Sequence, residues 1–190
     1  MDTKLIVYSC VSGGYDQQQE DRWYCEPSKR LVSHRMKAKQ PKILPHKYFP
    51  DHEWTIWADS NLELKMTGEE ILDFFGHPDV GVFEHPLRTT INQEIQATWG
   101  MDAPENLEYH RDGEGRLGSC NLIIRRNTPE VNQLCEAWWA EICVGSSRDQ
   151  LSFPYTLGTI AKMLPNPNVE YLMDNPVYKA IKHNGSRYNF

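Results

Sequence analysis

Three stretches of the chain hold residues whose types and spacing suit chemistry. Asp59-Ser60-Asn61 follows the alternating run Trp54-Thr55-Ile56-Trp57-Ala58. Successive side chains of a strand alternate faces, so Asp59 and Asn61 at a strand end would point the same way and set two oxygen donors at one edge. Such donors suit a hard divalent cation, and Mg2+ or Mn2+ takes few protein ligands and completes its shell with diphosphate and water. The same tripeptide is also good turn chemistry. Arg148-Asp149-Gln150 places three polar groups ahead of an apolar stretch, where Asp149 equally suits a helix cap or first turn. A basic segment collects Lys29, Arg30, Arg35, Lys37, Lys39, Lys42 and Lys47 with His34 and His46. Such a run is ordinarily a solvated face. Because it directly precedes the Asp59 strand, Arg35, Lys39 or Lys42 could return to neutralise a diphosphate.

The elements that must position these groups read as alternating strands and helices. Leu5 to Val11 is an apolar strand ending at Ser12-Gly13-Gly14-Tyr15-Asp16, and residues 17 to 27 read as a loop or irregular helix. Pro41, Pro45 and Pro50 are expected to break any long helix across the basic segment. Thr67-Gly-Glu-Glu70 has capping-box spacing and opens a short helix stopped at Gly76. Val80 to Glu84 reads as a buried strand leading to His85-Pro86-Leu87-Arg88, followed by a helix over Thr90 to Trp99 with Glu94 near its middle. Residues 101 to 117 read as a polar loop near a site. Ser119 to Arg126 is the next strand, and Thr128-Pro129 starts the clearest helix, with Val131, Leu134, Cys135, Trp138 and Ile142 at helical spacing. An apolar helical stretch is expected through Tyr155, Leu157, Ile160 and Met163, and a final strand over Val169 to Met173. Strands alternating with helices argue for an α/β fold with a mostly parallel central sheet flanked by helices, in one domain over residues 1–190.

Composition narrows the class. With 39% hydrophobic and 24% charged residues the chain reads as an ordinary globular protein. It has no long apolar run and no signal-peptide pattern at MDTKLIVYSC, so a cytoplasmic location without a membrane anchor is expected. The five cysteines are odd in number and form no C-x-x-C pair, which argues against a disulfide framework or zinc site. A formal charge of −6 opposes nonspecific polyanion binding.

Several blocks together resemble a known family. VYSCVSGGYD, KILPHKYFPDHEWTIWADSNLEL, VGVFEHPLRTTINQEI, SCNLIIRRNTPEVNQLCEAWWAEI and SSRDQLSFPYTL occur in order and cover most of residues 5 to 157. The chain resembles the glycosyltransferase-like family long described as a domain of unknown function, with plant cell-wall, bacterial and phage members. That family is similar to GT-A (Rossmann-like) nucleotide-sugar transferases of the glycogenin and lipopolysaccharide galactosyltransferase type. The resemblance implies that Asp59 and Asn61 match the metal and nucleotide motif, Asp149-Gln150 the donor-sugar motif, and His183 a late histidine completing the Mn2+ or Mg2+ site. It implies donor-binding places for Tyr8, Ser9 and Asp16 near base and ribose, and for Arg35, Lys42, His85, Arg88 and Arg148 near diphosphate or sugar. Two features depart from the family pattern: Asn61 stands for a second acid, and residues 17 to 34 lack a clear second strand.

Glycosyl transfer needs charge relief on the departing diphosphate, which a cation with Lys or Arg supplies, and oxygens that stabilise oxocarbenium-like charge. Asp149 and Gln150 would provide the second; an inverting reaction would need a base such as Glu94 or Asp149. The expected donor is a nucleotide sugar, a UDP-sugar first. The expected acceptor is a saccharide, a lipid-linked glycan head group or a hydroxymethylated base in phage DNA, this last motivated by the basic segment and the tail from Lys179 to Arg187. A noncatalytic nucleotide-sugar-binding module and a nucleotide-sugar hydrolase share the same residues.

Overall fold

Two of the expected strands, Trp54–Ala58 and Val80–Glu84, form with the bounds read from the sequence. The structure is a computed structural model that describes residues 4–13, 16–31, 33–100, 104–110, 115–166 and 174–181. In chain order its elements are β1 (Leu5–Ser9), β2 (Trp23–Tyr24), α1 (His34–Ile43), α2 (Pro45–Tyr48), β3 (Trp54–Ala58), β4 (Leu62–Leu64), α3 (Gly68–Phe75) and β5 (Val80–Glu84). There follow α4 (Ile91–Thr98), α5 (Pro104–Tyr109), β6 (Gly118–Arg126), α6 (Pro129–Val144), α7 (Asp149–Ser152), β7 (Lys162–Leu164) and β8 (Tyr178–Ala180).

Among the described residues six strands form the central sheet in the order β2-β1-β3-β6-β5-β7, and β4 pairs with β8 in a separate ribbon. β6 runs against both neighbours, β3 and β5, while the other adjacent pairs are parallel. The sheet is therefore mostly parallel. Its direction brings the carboxyl ends of β1, β3 and β5 and the amino end of β6 to one edge, with Glu84 opposite Gly118. Ligands of open α/β sheets sit in the crevice at such an edge.

Alternation along the strands divides the core between the two faces. Tyr8, Trp57, Val82 and Ile123 pack with Ile43 of α1 and Val131, Cys135 and Trp138 of α6. On the other face Ile56, Phe83 and Ile124 pack with Ile71, Leu72 and Phe75 of α3 and with Tyr178 of β8. A smaller cluster joins Ile91 and Ile95 of α4 to Leu107 of α5 and Leu151 of α7. Both predicted amino-terminal caps form: Thr67 and Glu70 close a capping box on α3, and the Thr128 side chain accepts the Val131 N–H at the start of α6; a further box, Thr90 with Gln93, opens α4. Gly76 ends α3 at φ 69°, a conformation that costs glycine little.

Other expectations are corrected. Pro41 does not break α1 but lies inside it. Its ring removes the N–H that would bond the Lys37 carbonyl, and the Ser28 N–H takes that carbonyl instead at 3.3 Å. The loop before it contains β2, a two-residue strand parallel to β1. The polar segment 101–117 contains α5. The helical stretch expected after Asp149 is α7 followed by 3-10 turns at Phe153–Tyr155 and Leu157–Thr159, separated at Thr156, and Met163 belongs to β7. The strand expected at residues 169–173, Gly14-Tyr15 and the tail with His183 lie outside the described residues. Among the described residues no helix is long and apolar enough to cross a membrane.

Candidate active site

The end of α1 is fixed from beneath by a buried cation. Arg125 of β6, within an otherwise apolar run, donates to the Lys42 carbonyl at 2.6 Å and to the Tyr8 hydroxyl at 2.8 Å. Tyr8 in turn donates to the Pro41 carbonyl at 3.0 Å. A guanidinium satisfying the last carbonyls of a helix also suits the negative end of its dipole. The geometry aims Lys42 across the sheet edge.

There the Lys42 ammonium lies 2.7 Å from Asp149 Oδ2 and 3.1 Å from Asp59 Oδ1. Lys39, one turn earlier, lies 3.0 Å from Asp149 Oδ1. The indole N–H of Trp57 donates to Asp59 Oδ1 at 2.7 Å. Burial by itself would raise the Asp149 carboxyl, but Lys39 and Lys42 outweigh it and hold the group well below the usual carboxylate range. Burial would lower the Lys42 ammonium, yet Asp149 and Asp59 raise it above its ordinary value. For Lys39 burial wins and the ammonium is lowered. Two carboxylates and two ammonium groups thus form a balanced cluster, with the Asp59 side chain 35% exposed and Asp149 only 7%.

Each acid is held by its own scaffold. Asp59 lies just past the end of β3, where its N–H donates to the Asn121 carbonyl at 2.8 Å and the Leu62 N–H returns to its own carbonyl at 3.0 Å. The strand stops at Ala58, so Asp59-Ser60-Asn61 is a turn rather than an extension with both side chains on one face. Arg22 grips this turn through the carbonyls of Asp59 and Leu62. Ser60 donates to Asp16 Oδ2 at 2.5 Å. Asn61 donates its amide to the Ile181 carbonyl at 3.4 Å. Asp149 begins α7, whose position is set by the Trp138 indole N–H on the Asp149 carbonyl at 3.0 Å and by Gln150 donating to the Ser119 carbonyl at 3.2 Å. Between Ser119 and Asn121, Cys120 has φ 54°, a strained conformation for a residue with a side chain.

A second cluster surrounds Glu94, which is fully buried. Arg88 Nε bonds its Oε2, and Arg148 Nε donates to its Oε1 at 2.7 Å. With both oxygens committed, Glu94 holds the two arginines instead of standing free as a base. His85 Nδ1 accepts the Arg88 backbone N–H at 3.0 Å and the Leu87 N–H at 3.2 Å. Burial and the neighbouring Arg88 hold its imidazole down to about 4, so it is neutral near pH 7.

The structure brings Lys42, Asp59 and Asp149 into contact and gathers His85, Arg88, Glu94 and Arg148 into the adjoining cluster through Arg148-Asp149. Gln150 is buried beneath. Tyr8 is wholly buried with its hydroxyl spent on Pro41 and Arg125, so its side chain supports the edge and does not line it. Ser9 is likewise buried. Arg35 donates to Ser147 at 3.1 Å, apart from the acids. Trp57, Arg22 and Arg125 escaped the sequence reading. Trp57 lies two residues before Asp59 at the end of β3, and Arg125 is a charge within the apolar run of β6; those were the available signals.

For a divalent cation, Asp59 Oδ1 is taken by Lys42 and Trp57, while among the described residues its Oδ2 accepts no hydrogen bond. The Asn61 amide nitrogen is engaged, leaving its oxygen. That pair is an oxygen-only donor set, which fits Mg2+ or Mn2+ if the substrate's phosphates complete the shell. Among the described residues no group of three or more His, Cys, Asp or Glu side chains could hold a metal on its own.

The profile of the TOD1/MUCI70 glycosyltransferase-like domain matches residues 29–184. The probable hexosyltransferase MUCI70 of Arabidopsis thaliana is 26% identical over an alignment of 148 residues that covers 67% of this chain and 26% of that protein. The chain thus spans about a quarter of that curated relative's length. A crystal structure of a glycosyltransferase involved in the glycosylation of the major capsid of PBCV-1 superimposes with a TM-score of 0.50 at 10% identity, over 85% of this chain and 81% of that one, which is a likeness of fold.

Proposed function

Because the chain belongs to the TOD1/MUCI70 glycosyltransferase-like family, we propose that it transfers a hexosyl unit from a nucleotide sugar, a UDP-sugar first, to a saccharide acceptor at the sheet edge between Asp59 and His85. The observation that carries this reading is the Lys42 ammonium held between Asp59 and Asp149.

Asp59 Oδ2 and the Asn61 amide oxygen would hold Mn2+ or Mg2+, and the bound cation would relieve charge on the departing diphosphate. Lys39 and Lys42 add positive charge at the same edge, preorganised by their bonds to the acids. Asp149 stays ionised because both lysines face it. A carboxylate of such low basicity suits stabilising positive charge at the anomeric carbon better than accepting a proton. Arg88 and Arg148, fixed by Glu94, orient hydroxyl or anionic groups of donor and acceptor.

A saccharide acceptor is favoured over DNA because the two lysines of the basic segment that reach the site edge are spent inside the protein. Lys39 and Lys42 face Asp149, and Lys47 pairs with Glu136 at 2.6 Å. The test is a panel of UDP- and GDP-sugars with Mn2+ and oligosaccharide or hydroxymethylated DNA acceptors. Transfer or donor hydrolysis that is lost in Asp149→Asn supports the reading. Equal turnover by wild type and variant throughout would sink it, and calorimetric binding without turnover would favour a noncatalytic sugar-nucleotide module.

A further inference from the structure

Two of the five cysteines stand side by side where β1 and β2 reach the site edge. Tyr8 pairs with Trp23 and Ser9 with Tyr24, so the next step of the register sets Cys10 opposite Cys25. The Cys25 N–H donates to the Ser9 carbonyl at 3.0 Å, carrying the ladder past the strand ends. Paired strands lie about 4.8 Å apart, inside the roughly 4.4–6.8 Å Cα separation that a disulfide bridges. Both side chains pack in the same cluster, Cys10 buried and Cys25 half-buried. The Cys25 thiol donates to the Ser9 carbonyl at 3.2 Å, next to Cys10; the neighbouring Cys25 lowers the Cys10 thiol, and Cys10 together with burial raises Cys25. The remaining cysteines lie elsewhere, Cys120 on β6 and Cys135 and Cys143 on α6.

We propose that Cys10 and Cys25 are a reversible dithiol modification site, taking a peroxide-class two-electron oxidant and closing to a disulfide that staples β2 to β1 beside the donor edge. The Cys10 thiolate attacks a peroxide oxygen, the O–O bond breaks, and the leaving hydroxide is protonated to water, giving a sulfenic acid. The Cys25 thiolate then attacks the Cys10 sulfur, the S–O bond breaks, and a second water leaves. Two thiols lose two electrons and two protons, and one peroxide becomes two waters. This chemistry does not depend on the transferase reading.

The experiment treats the protein with stoichiometric hydrogen peroxide, removes the excess with catalase, then denatures it and alkylates with maleimide. A Cys143→Ser background removes the exposed thiol and leaves four of the five cysteines. About two thiols should remain alkylatable, peptide mapping should give a Cys10–Cys25 cross-link, and dithiothreitol should restore all four. Unmodified wild-type protein gives the same map if the serine variant folds poorly. Full alkylation after peroxide, or a cross-link joining other cysteines, overturns the proposal.

Discussion

The Lys42 ammonium lies 2.7 Å from Asp149 Oδ2, across a contact that is nearly closed to solvent on both sides. Removing one member of a buried ion pair leaves the other uncompensated, at a cost of about 3–5 kcal/mol. Lys42→Met should therefore destabilise the fold by about 3 kcal/mol, the lower end of that range because Lys39 still faces Asp149. Urea denaturation of Lys42→Met, Asp149→Leu and the double variant measures the coupling, and additive losses would deny it.

The buried environment of His85 makes a pH prediction with a definite sign. Its folded value is held down to about 4 against 6.5 ordinarily, so between those values the unfolded chain binds the extra proton. Stability should fall as pH drops through that window and level out below it. Asp149, also depressed when folded, keeps its contribution above the ordinary carboxylate range and loses it only in stronger acid, as pH falls through its folded value. Urea midpoints from pH 7 to 4 should slope in wild type and flatten in His85→Asn; identical slopes would assign the effect elsewhere.

Glu94→Gln keeps the shape of its side chain but leaves Arg88 and Arg148 facing each other without an anion. We expect a loss of stability of about 3 kcal/mol and, in the proposed reaction, a KM for donor or acceptor raised more than kcat is lowered. A proton-accepting Glu94 would give the opposite split, with kcat collapsing and KM little changed.

If Asp59 and Asn61 hold the cation, protein stripped with EDTA should lose turnover and regain it on addition of Mn2+, with Asp59→Asn requiring more Mn2+ for half-maximal rate. Full activity after stripping would transfer the charge relief to Lys39 and Lys42 alone.

Local signals in the sequence were legible where local physics decides. The caps at Thr67/Glu70 and Thr128 and the apolar block Val80–Glu84 mark their elements because the relevant bonds and burial lie within a few residues. Pro41 misleads because the helix survives through Ser28, a partner outside it. The antiparallel sense of β6 has no signature in its apolar composition, buried on both faces like its neighbours. Of the site, the acids Asp59 and Asp149 stood out as motifs. Their meeting through Lys42 depends on how α1 lies on the sheet, and the commitment of Glu94 to two arginines depends on α7 packing on α4, which no local pattern encodes.

The bonds from Arg125 to the end of α1 carry a consequence for the whole edge. Arg125 sits opposite Thr55 in the β3–β6 pairing. A slip of β6 by one residue would turn its side chain to the opposite face of the sheet. The helix end would lose its anchor and Lys42 its aim between the two acids. The placement of the lysine is thus a readout of strand register, so assembly of the site waits on correct pairing of the central strands and reports that it has occurred.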